Sequence, residues 1–339
     1  MDTAPPDAGA PAPPGPSTAE QTARYIVAQA IWAPSVHNTQ PWWFSTEGQQ
    51  VSLYADAGRR LTVADPDGRE MMISCGAALF TLRLALRSLG YVPKTRVLPD
   101  PAQPMLVARV SWRERAATAE FEKRLNSQVP RRRTHRGGFD PVPLSPHLLA
   151  ALSEGAARDG ATLRFIGDGG RRAVLAAAVD AAEQVIRVDS TRVQELVMWA
   201  SPPGSPRRDG VPTTSYPKRA EHTDPDFPGR DFAHGLGWGN PPLSSARSPR
   251  IAGVVGLLCT ADDHPADWVN AGQALQRLLL TASTCGVAAA LHSQPLELPG
   301  LRELIRARLG GGHPHLLFRL GAVIQTEASV RRSPGEVLR

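Results

Sequence analysis

The sequence predicts an α/β protein made of two related halves. Its 339 residues are 42% hydrophobic and 21% charged, a composition that allows a sizeable core. Strand-like and helical patterns alternate along the chain. The segment from Gly76 to Gly90 also lines up with the segment from Gly272 to Gly286, at an offset of 196 residues (272 minus 76). Both segments read as helices that end in glycine, so we predict an internal duplication.

The first half is predicted to cover residues 17–128. It follows an Ala/Pro-rich arm, residues 1–16, that we expect to be disordered. Ser17 and Glu20 have the spacing of a capping box, which predicts a helix that starts at Ser17 and ends before Pro34. The other predicted elements are strands at 42–44, 51–55 and 105–112 and helices at 67–89 and 117–125.

The second half is predicted to cover residues 129–325, followed by a C-terminal tail at 326–339. Ser145 and Pro146 read as an N-cap and a first-turn proline. Residues 201–250 are rich in proline and lack regular patterning, so we interpret them as a lid-like insertion. The other predicted elements are helices at 145–155, 171–200 and 267–285 and strands at 163–166, 251–258, 287–291 and 315–320.

Composition limits the classes of function. The sequence contains no run of eighteen apolar residues, so no membrane span is predicted. Cys75, Cys259 and Cys285 lie in apolar segments and suit buried thiols, so we expect a cytoplasmic protein. The net charge of +6 is spread along the chain without an RNA-stacking motif, so no nucleic-acid partner is expected. His313 and His315 have no further ligand at suitable spacing, so no metal site is predicted.

Four segments carry a resemblance to a known family. They are Pro34-Ser35-x-x-Asn38-x-Gln40-Pro41-Trp42, Arg132-Arg133-Thr134-x-Arg136, Asp267-Trp268-x-x-Ala271-Gly272, and Phe318-Arg319-Leu320-Gly321. Together they resemble the nitroreductase superfamily, most closely its Acg-type branch, over roughly residues 19–325. The resemblance implies two fused α+β halves, each with an antiparallel sheet and a long interface helix, and a bound FMN.

The resemblance also implies where the FMN phosphate binds. Arg132, Arg133 and Thr134 are expected to hold it, with Arg319 as a partner from a late strand. Guanidinium forks suit the doubly charged phosphate because they bind its oxygens bidentately. Arg136 is expected nearer the ribityl chain and ring, where a cation would favour the anionic reduced flavin.

Other residues are expected at the flavin ring. The resemblance places Ser35 and Asn38 at its pyrimidine edge, and backbone groups around His292 and Ser293 near N5. An alternative is that Ser35 caps a turn and Asn38 holds an Asx-turn. His37 and His135, which lie inside the motifs, are interpreted as local packing.

The motifs are divided between the halves. The first half has the Pro-Ser-x-x-Asn loop but only Arg24 where an arginine signature would stand, and the second half has the signature without the loop. One complete site per chain therefore forms across the halves, and we expect one FMN per chain and a monomer.

The implied activity is ping-pong hydride transfer from NAD(P)H through flavin N5 to a small-molecule substrate, with no protein nucleophile. Two alternatives stay open: a flavin-sequestering protein with a closed lid, and a biosynthetic FMN-dependent oxidase or dehydrogenase. A basic α/β protein without cofactor would leave the Pro-Ser-x-x-Asn loop unexplained.

Overall fold

The computed structural model describes residues 18–218, 221–234, 236–239, 250–323 and 329–339. Its helices are α1 (Ala19–Ala30), α2 (Arg69–Ser88), α3 (Glu120–Gln128), α4 (Pro146–Arg158), α5 (Gly169–Val188), α6 (Ser190–Trp199), α7 (Pro265–Thr284), α8 (Pro299–Leu309) and α9 (Pro334–Val337). Its strands are β1 (Trp42–Glu47), β2 (Gln50–Ala55), β3 (Tyr91–Val97), β4 (Leu106–Arg115), β5 (Thr162–Phe165), β6 (Ala200–Ser201), β7 (Val211–Pro212), β8 (Val254–Thr260), β9 (Val287–Leu291) and β10 (His313–Ala322). The α/β class is confirmed.

In the described part of the chain, two four-stranded antiparallel sheets share one topology. Their orders are β1-β2-β4-β3 and β5-β8-β10-β9, so in each sheet the strands are arranged first, second, fourth, third. A long helix connects the second strand to the third in both, namely α2 in the first sheet and α7 in the second. The shared order is what a duplicated unit would produce.

The two long helices cross where both have glycine. A Cβ added to Gly76 would lie 2.2 Å from the carbonyl oxygen of Val269, and one added to Gly272 would lie 2.0 Å from that of Ile73. Each contact joins a glycine to the residue three positions before the other glycine. The backbones can approach this closely only because neither glycine carries a side chain.

Several sequence expectations need adjustment. Helix α1 is capped by Thr18, which forms a capping box with Gln21, so the N-cap is one residue later than predicted. The expected arm at 1–16 lies outside the described residues. Cys285 is exposed, unlike Cys75 and Cys259, because it follows the last turn of α7. Strand β3 and helix α8 were not predicted.

Helix α2 is long and apolar enough to cross a membrane by length and composition alone. Within the fold, however, 83% of its most apolar window is buried. It packs against α7, α1 and the first sheet. This is the environment of a core helix in a folded domain.

The described residues of 201–250 form a packed unit. Tyr216 and Phe232 are buried with Leu196 of α6 and Val211 of β7, and Trp238 packs against them. The C-terminal residues 329–339 also return to the body of the protein, where Leu338 pairs with Phe44 of β1. The irregular segment therefore packs against α6, and the C-terminal segment packs against the first half of the chain.

Candidate functional site

A cleft lies between the two halves. Its walls come from the loop after α1, the first turns of α2, the end of β9 with the turn that follows, β10, and residues 134–136. Gly229, Arg230 and Phe232 of the irregular segment also line it. The lining combines apolar side chains, such as those of Ile73 and Leu275, with polar ones. A flat amphipathic ring needs walls of this mixed character.

The loop after α1 is bent by three residues in the left-handed region. His37, Asn38 and Gln40 have φ values of 45°, 55° and 49°, which cost free energy for residues other than glycine. The bend is held by Ser35, whose hydroxyl oxygen accepts a hydrogen bond from the Gln40 backbone N–H at 2.9 Å. Ser35 therefore caps this turn and also lines the cleft, which joins both sequence interpretations.

Next to the cleft lies a group of arginines that we call the arginine cluster: Arg132, Arg133, Arg136 and Arg331. Arg132 and Arg331 both donate to the carbonyl oxygen of Trp32, at 3.4 and 3.3 Å. Arg133 and Arg331 also lie over the Trp32 ring, 5.2 and 5.7 Å from its centroid. Trp32 therefore holds three of the four cations close together.

The cluster has no neutralising carboxylate among the described contacts of Arg132 and Arg331. Burial, followed by Arg133 and Arg136, lowers the pKa of Arg132 to about 9. Burial and the other three arginines hold the pKa of Arg331 well below its usual range. Arg132 Nε and Nη1 and Arg331 Nε are buried and have no partner in the described residues. Such N–H groups suit an anion with several oxygens, so the phosphate end of FMN fits here.

The Asn38 side chain contacts the arginine cluster and is not part of the cleft lining. Its amide nitrogen donates to the carbonyl oxygens of Gly210 and Val330, and its side-chain oxygen accepts from Arg331 Nη1 at 3.0 Å. The side chain is thus fully used in fixing Arg331 and the start of the irregular segment. Asn38 is not among the residues that line the cleft, and its predicted contact with the pyrimidine edge stays a prediction.

Arg319 lines the cleft and is held by contacts with several neighbouring residues. Its guanidinium lies between Phe139 and Phe227, at 5.4 and 5.2 Å from their ring centroids. Its donors go to the carbonyl oxygens of Ala252 and Gly137 and to His292 Nε2, the last at 2.9 Å. Three of its five N–H groups make these bonds, so Arg319 positions His292, and its predicted contact with the phosphate stays a prediction.

The bond from Arg319 fixes the protonation of His292. Since Nε2 accepts from Arg319, the proton of the neutral ring lies on Nδ1. Nδ1 is buried and has no partner in the described residues. Burial and then Arg319 and Arg230 hold the pKa of His292 well below its usual value. His292 therefore presents a neutral, oriented N–H donor in the lining of the cleft.

The two histidines of the motifs are neutral as well. Burial, Arg230 and Arg136 hold the pKa of His37 well below its usual range. Its ring packs edge-on against Phe232, with 5.5 Å between centroids. Burial lowers the pKa of His135, whose Nε2 lies 2.9 Å from the carbonyl oxygen of Gly138. The packing role predicted for both residues agrees with these contacts, although both also line the cleft.

The structure thus divides the predicted site residues into three groups. Those lining the cleft are Ser35, Thr134, Arg136, His292, Ser293 and Arg319. Arg132 and Arg133 border a neighbouring cavity on the side of Gly286–Ala289, and Asn38 supports Arg331.

The sequence reasoning missed Arg331, Glu70 and Arg230. The Arg331-Arg332 pair in the presumed tail was a visible signal for the first of these.

Comparisons with known proteins agree on one family, although no protein-family model matches the chain. In Mycobacterium tuberculosis, the protein named "Putative NAD(P)H nitroreductase Rv3131" is 33% identical over 306 residues, which cover 89% of this chain and 85% of the relative. A second protein of this organism, with the same nitroreductase description and the symbol acg, is 29% identical over 317 residues, or 91% and 92% of the two chains. A solved nitroreductase with bound FMN from Desulfitobacterium hafniense is 14% identical, with a TM-score of 0.40, over 63% of this chain and 96% of that one.

Proposed function

The chain belongs to the NAD(P)H nitroreductase family, and we propose that it is an FMN-dependent oxidoreductase that passes hydride from NAD(P)H to a small organic acceptor in a ping-pong sequence. The observation that carries the proposal is the arginine cluster, with its buried unpartnered N–H groups, beside a cleft of mixed polarity. Such a pair of features matches a phosphate joined to an amphipathic ring.

Each end of the site would act on a different part of the cofactor. Arg132, Arg133 and Arg331 would hold the phosphate, and Thr134 and Arg136 connect them to the cleft. Arg136 is a half-buried cation that lines the cleft, so it would favour negative charge on a flavin ring bound there. Its guanidinium lies 5.9 Å from the centroid of the Phe232 ring. His292 would donate its Nδ1–H. Bound FMN supplies the hydride chemistry, and the protein supplies binding, orientation and electrostatics.

The irregular segment closes one side of the cleft. Phe232 is 5% exposed and contacts His37, and Arg230 forms a buried ion pair with Glu297 at 2.6 Å. Gln40 donates to the carbonyl oxygen of Arg208, which ties the start of this segment to the loop after α1. This closure favours the second candidate, a flavin-sequestering protein with little turnover, because a fixed lid would exclude NAD(P)H.

One experiment separates the two candidates. We expect the purified protein to show flavin absorbance that bleaches promptly when NADPH is added without oxygen. Absorbance that dithionite bleaches but NADPH leaves unchanged would support sequestration. A colourless protein that cannot be reconstituted with FMN would contradict both. Oxygen uptake that requires a dedicated organic substrate would instead indicate the oxidase alternative.

Replacing Phe232 tests the lid directly. We expect Phe232→Ala to raise the rate of anaerobic flavin reduction by NADPH about tenfold, because the ring closes the cleft, and to lower stability by about 3 kcal/mol. Stopped-flow absorbance measures the rate. Leu236→Ala is the matched control, since Leu236 lies in the same segment but is 67% exposed. Equal reduction rates in wild type and Phe232→Ala would show that this side chain does not limit access.

A further inference from the structure

The titratable side chains that line the cleft differ in whether they can give up a proton at neutral pH. The lining histidines, His37, His135 and His292, have lowered pKa values and are neutral. Burial lowers the pKa of Arg136 to about 10, so it stays charged. Among the described residues of the lining there remains one carboxyl, Glu70.

Glu70 is the second residue of α2, and its side chain is 5% exposed. One oxygen, Oε1, accepts from Arg69 Nη2 at 2.7 Å. Two further carboxyl groups act on it from other elements: Asp65 from the loop before α2, and Glu297 from the turn after β9. Arg302 of α8 opposes them, and the charge of Glu297 is itself paired with Arg230.

These surroundings set the protonation of Glu70. Burial has the largest effect and raises the pKa of Glu70. Arg69 lowers this pKa, whereas the charges of Asp65 and Glu297 raise it. The result is a pKa of about 7. Burial raises the pKa of Asp65 as well, but Asp65 does not line the cleft, and both its oxygens accept backbone N–H groups at the start of α2. Glu70 therefore carries an exchangeable proton near neutral pH.

We propose that Glu70 is the acid of this cleft, which delivers a proton to the acceptor during its reduction. The inference rests on the proposed function. It follows from the position of Glu70 in the lining and from the absence of another proton-bearing carboxyl among the described residues of that lining.

The balance of the reaction requires such a group. Converting a quinone to a hydroquinone takes two electrons and two protons. A hydride from NAD(P)H, passed through FMN, carries both electrons and one proton to the acceptor. The second proton comes from Glu70: its O–H bond breaks, a bond to the acceptor oxygen forms, and the carboxylate is left beside Arg69.

A second cavity offers the way to restore the proton. Its lining includes Asp65, Arg69 and Glu297, together with the side chains of Asp263 and His313. Arg69 donates to Glu70, and Glu297 accepts from Ser293 of the cleft. Because Arg69 does not give up its own protons, water from the second cavity must reach Glu70 directly to restore the proton.

Glu70→Gln tests the inference, with Glu47→Gln as a control that removes an exposed carboxylate at the end of β1, outside both cavities. We expect Glu70→Gln to bind FMN and to be bleached by NADPH at the wild-type rate. Its reoxidation by 1,4-benzoquinone should fall about a hundredfold at pH 6.5. The wild-type reoxidation rate should decline above pH 7, and the variant rate should not change between pH 6 and pH 9.

A measurement without turnover accompanies this one. In the wild-type protein without FMN, infrared difference spectra should show a protonated carboxyl band that titrates near pH 7 and is missing from Glu70→Gln. Wild-type stability should also fall relative to the variant as the pH rises from the unfolded pKa of 4.5 to about 7, because the raised pKa favours the protonated folded state.

The outcomes distinguish this inference from the proposed function. A protein that is reduced by NADPH, and whose Glu70→Gln variant keeps the wild-type pH profile for reoxidation, would overturn the inference and leave the function standing. The absence of the infrared band would do the same. A protein that does not bind FMN would overturn both.

Discussion

Replacing Arg132 with methionine is expected to lower the affinity for FMN about 10- to 100-fold and, at the same time, to stabilise the protein without FMN. The loss of affinity follows from removing charge-assisted hydrogen bonds to the phosphate, worth about 1.5–3 kcal/mol. The gain in stability follows because Arg132 buries two N–H groups that have no partner among the described residues, and no carboxylate of those residues contacts it. An apolar side chain of similar length removes that cost, by about 1 kcal/mol or more.

Two measurements check this prediction: the dissociation constant from flavin fluorescence, and the urea midpoint of the FMN-free protein. Arg113→Met is the control, because Arg113 is exposed on β4 and should change neither quantity. The opposite signs are the diagnostic feature. A variant that binds FMN like wild type would contradict the phosphate assignment, and one that loses stability would show that Arg132 is a structural residue.

Gly272→Ala is expected to have the largest effect on folding, a loss of about 3 kcal/mol or more in the free energy of unfolding. The new Cβ would lie 2.0 Å from the carbonyl oxygen of Ile73, an atom of the α2 backbone. A helix backbone cannot move away as a side-chain tip can. Helices α2 and α7 would have to separate along the crossing that joins the halves. Thermal or urea unfolding followed by circular dichroism measures the loss.

The chain provides both a parallel variant and a control. Gly76→Ala should cost a similar amount, since its Cβ would lie 2.2 Å from the Val269 carbonyl oxygen. Gly300→Ala in α8 should be within about 1 kcal/mol of wild type, because no atom lies within 4 Å of its added Cβ. If Gly272→Ala were as stable as Gly300→Ala, the close crossing would be wrong.

Local patterns predicted much of the secondary structure, and the exceptions have physical reasons. Strand β9 was predicted with its observed bounds because its apolar run is short and follows Gly286. Strand β3 was missed because it is an edge strand that contains Pro93, and because the polar run from Lys94 to Arg96 hides its alternation in the sequence.

The site was harder to predict because its contacts are long-range. Arg331 donates a hydrogen bond to Asn38 across 293 positions of sequence, and no local pattern around either residue predicts this contact. Arg319 matched the family motif, but only the structure shows that its donors go to His292 and to two backbone carbonyls. The sequence alone does not distinguish a strand arginine that binds a ligand from one that hydrogen-bonds to a neighbouring residue.

Helices α2 and α7 both have a glycine where they cross, but the residues near their N-terminal ends differ. By the offset of 196, Glu70 of α2 corresponds to Ala266 of α7, and Ser74 corresponds to Asn270. In a homodimer, one gene encodes both helices, so any substitution is made twice and both ends must tolerate it. In a single fused chain, separate segments of the gene encode the two helices, so each helix can be substituted independently. Natural selection can then refine the chemistry at one end while the other end changes only as stability requires.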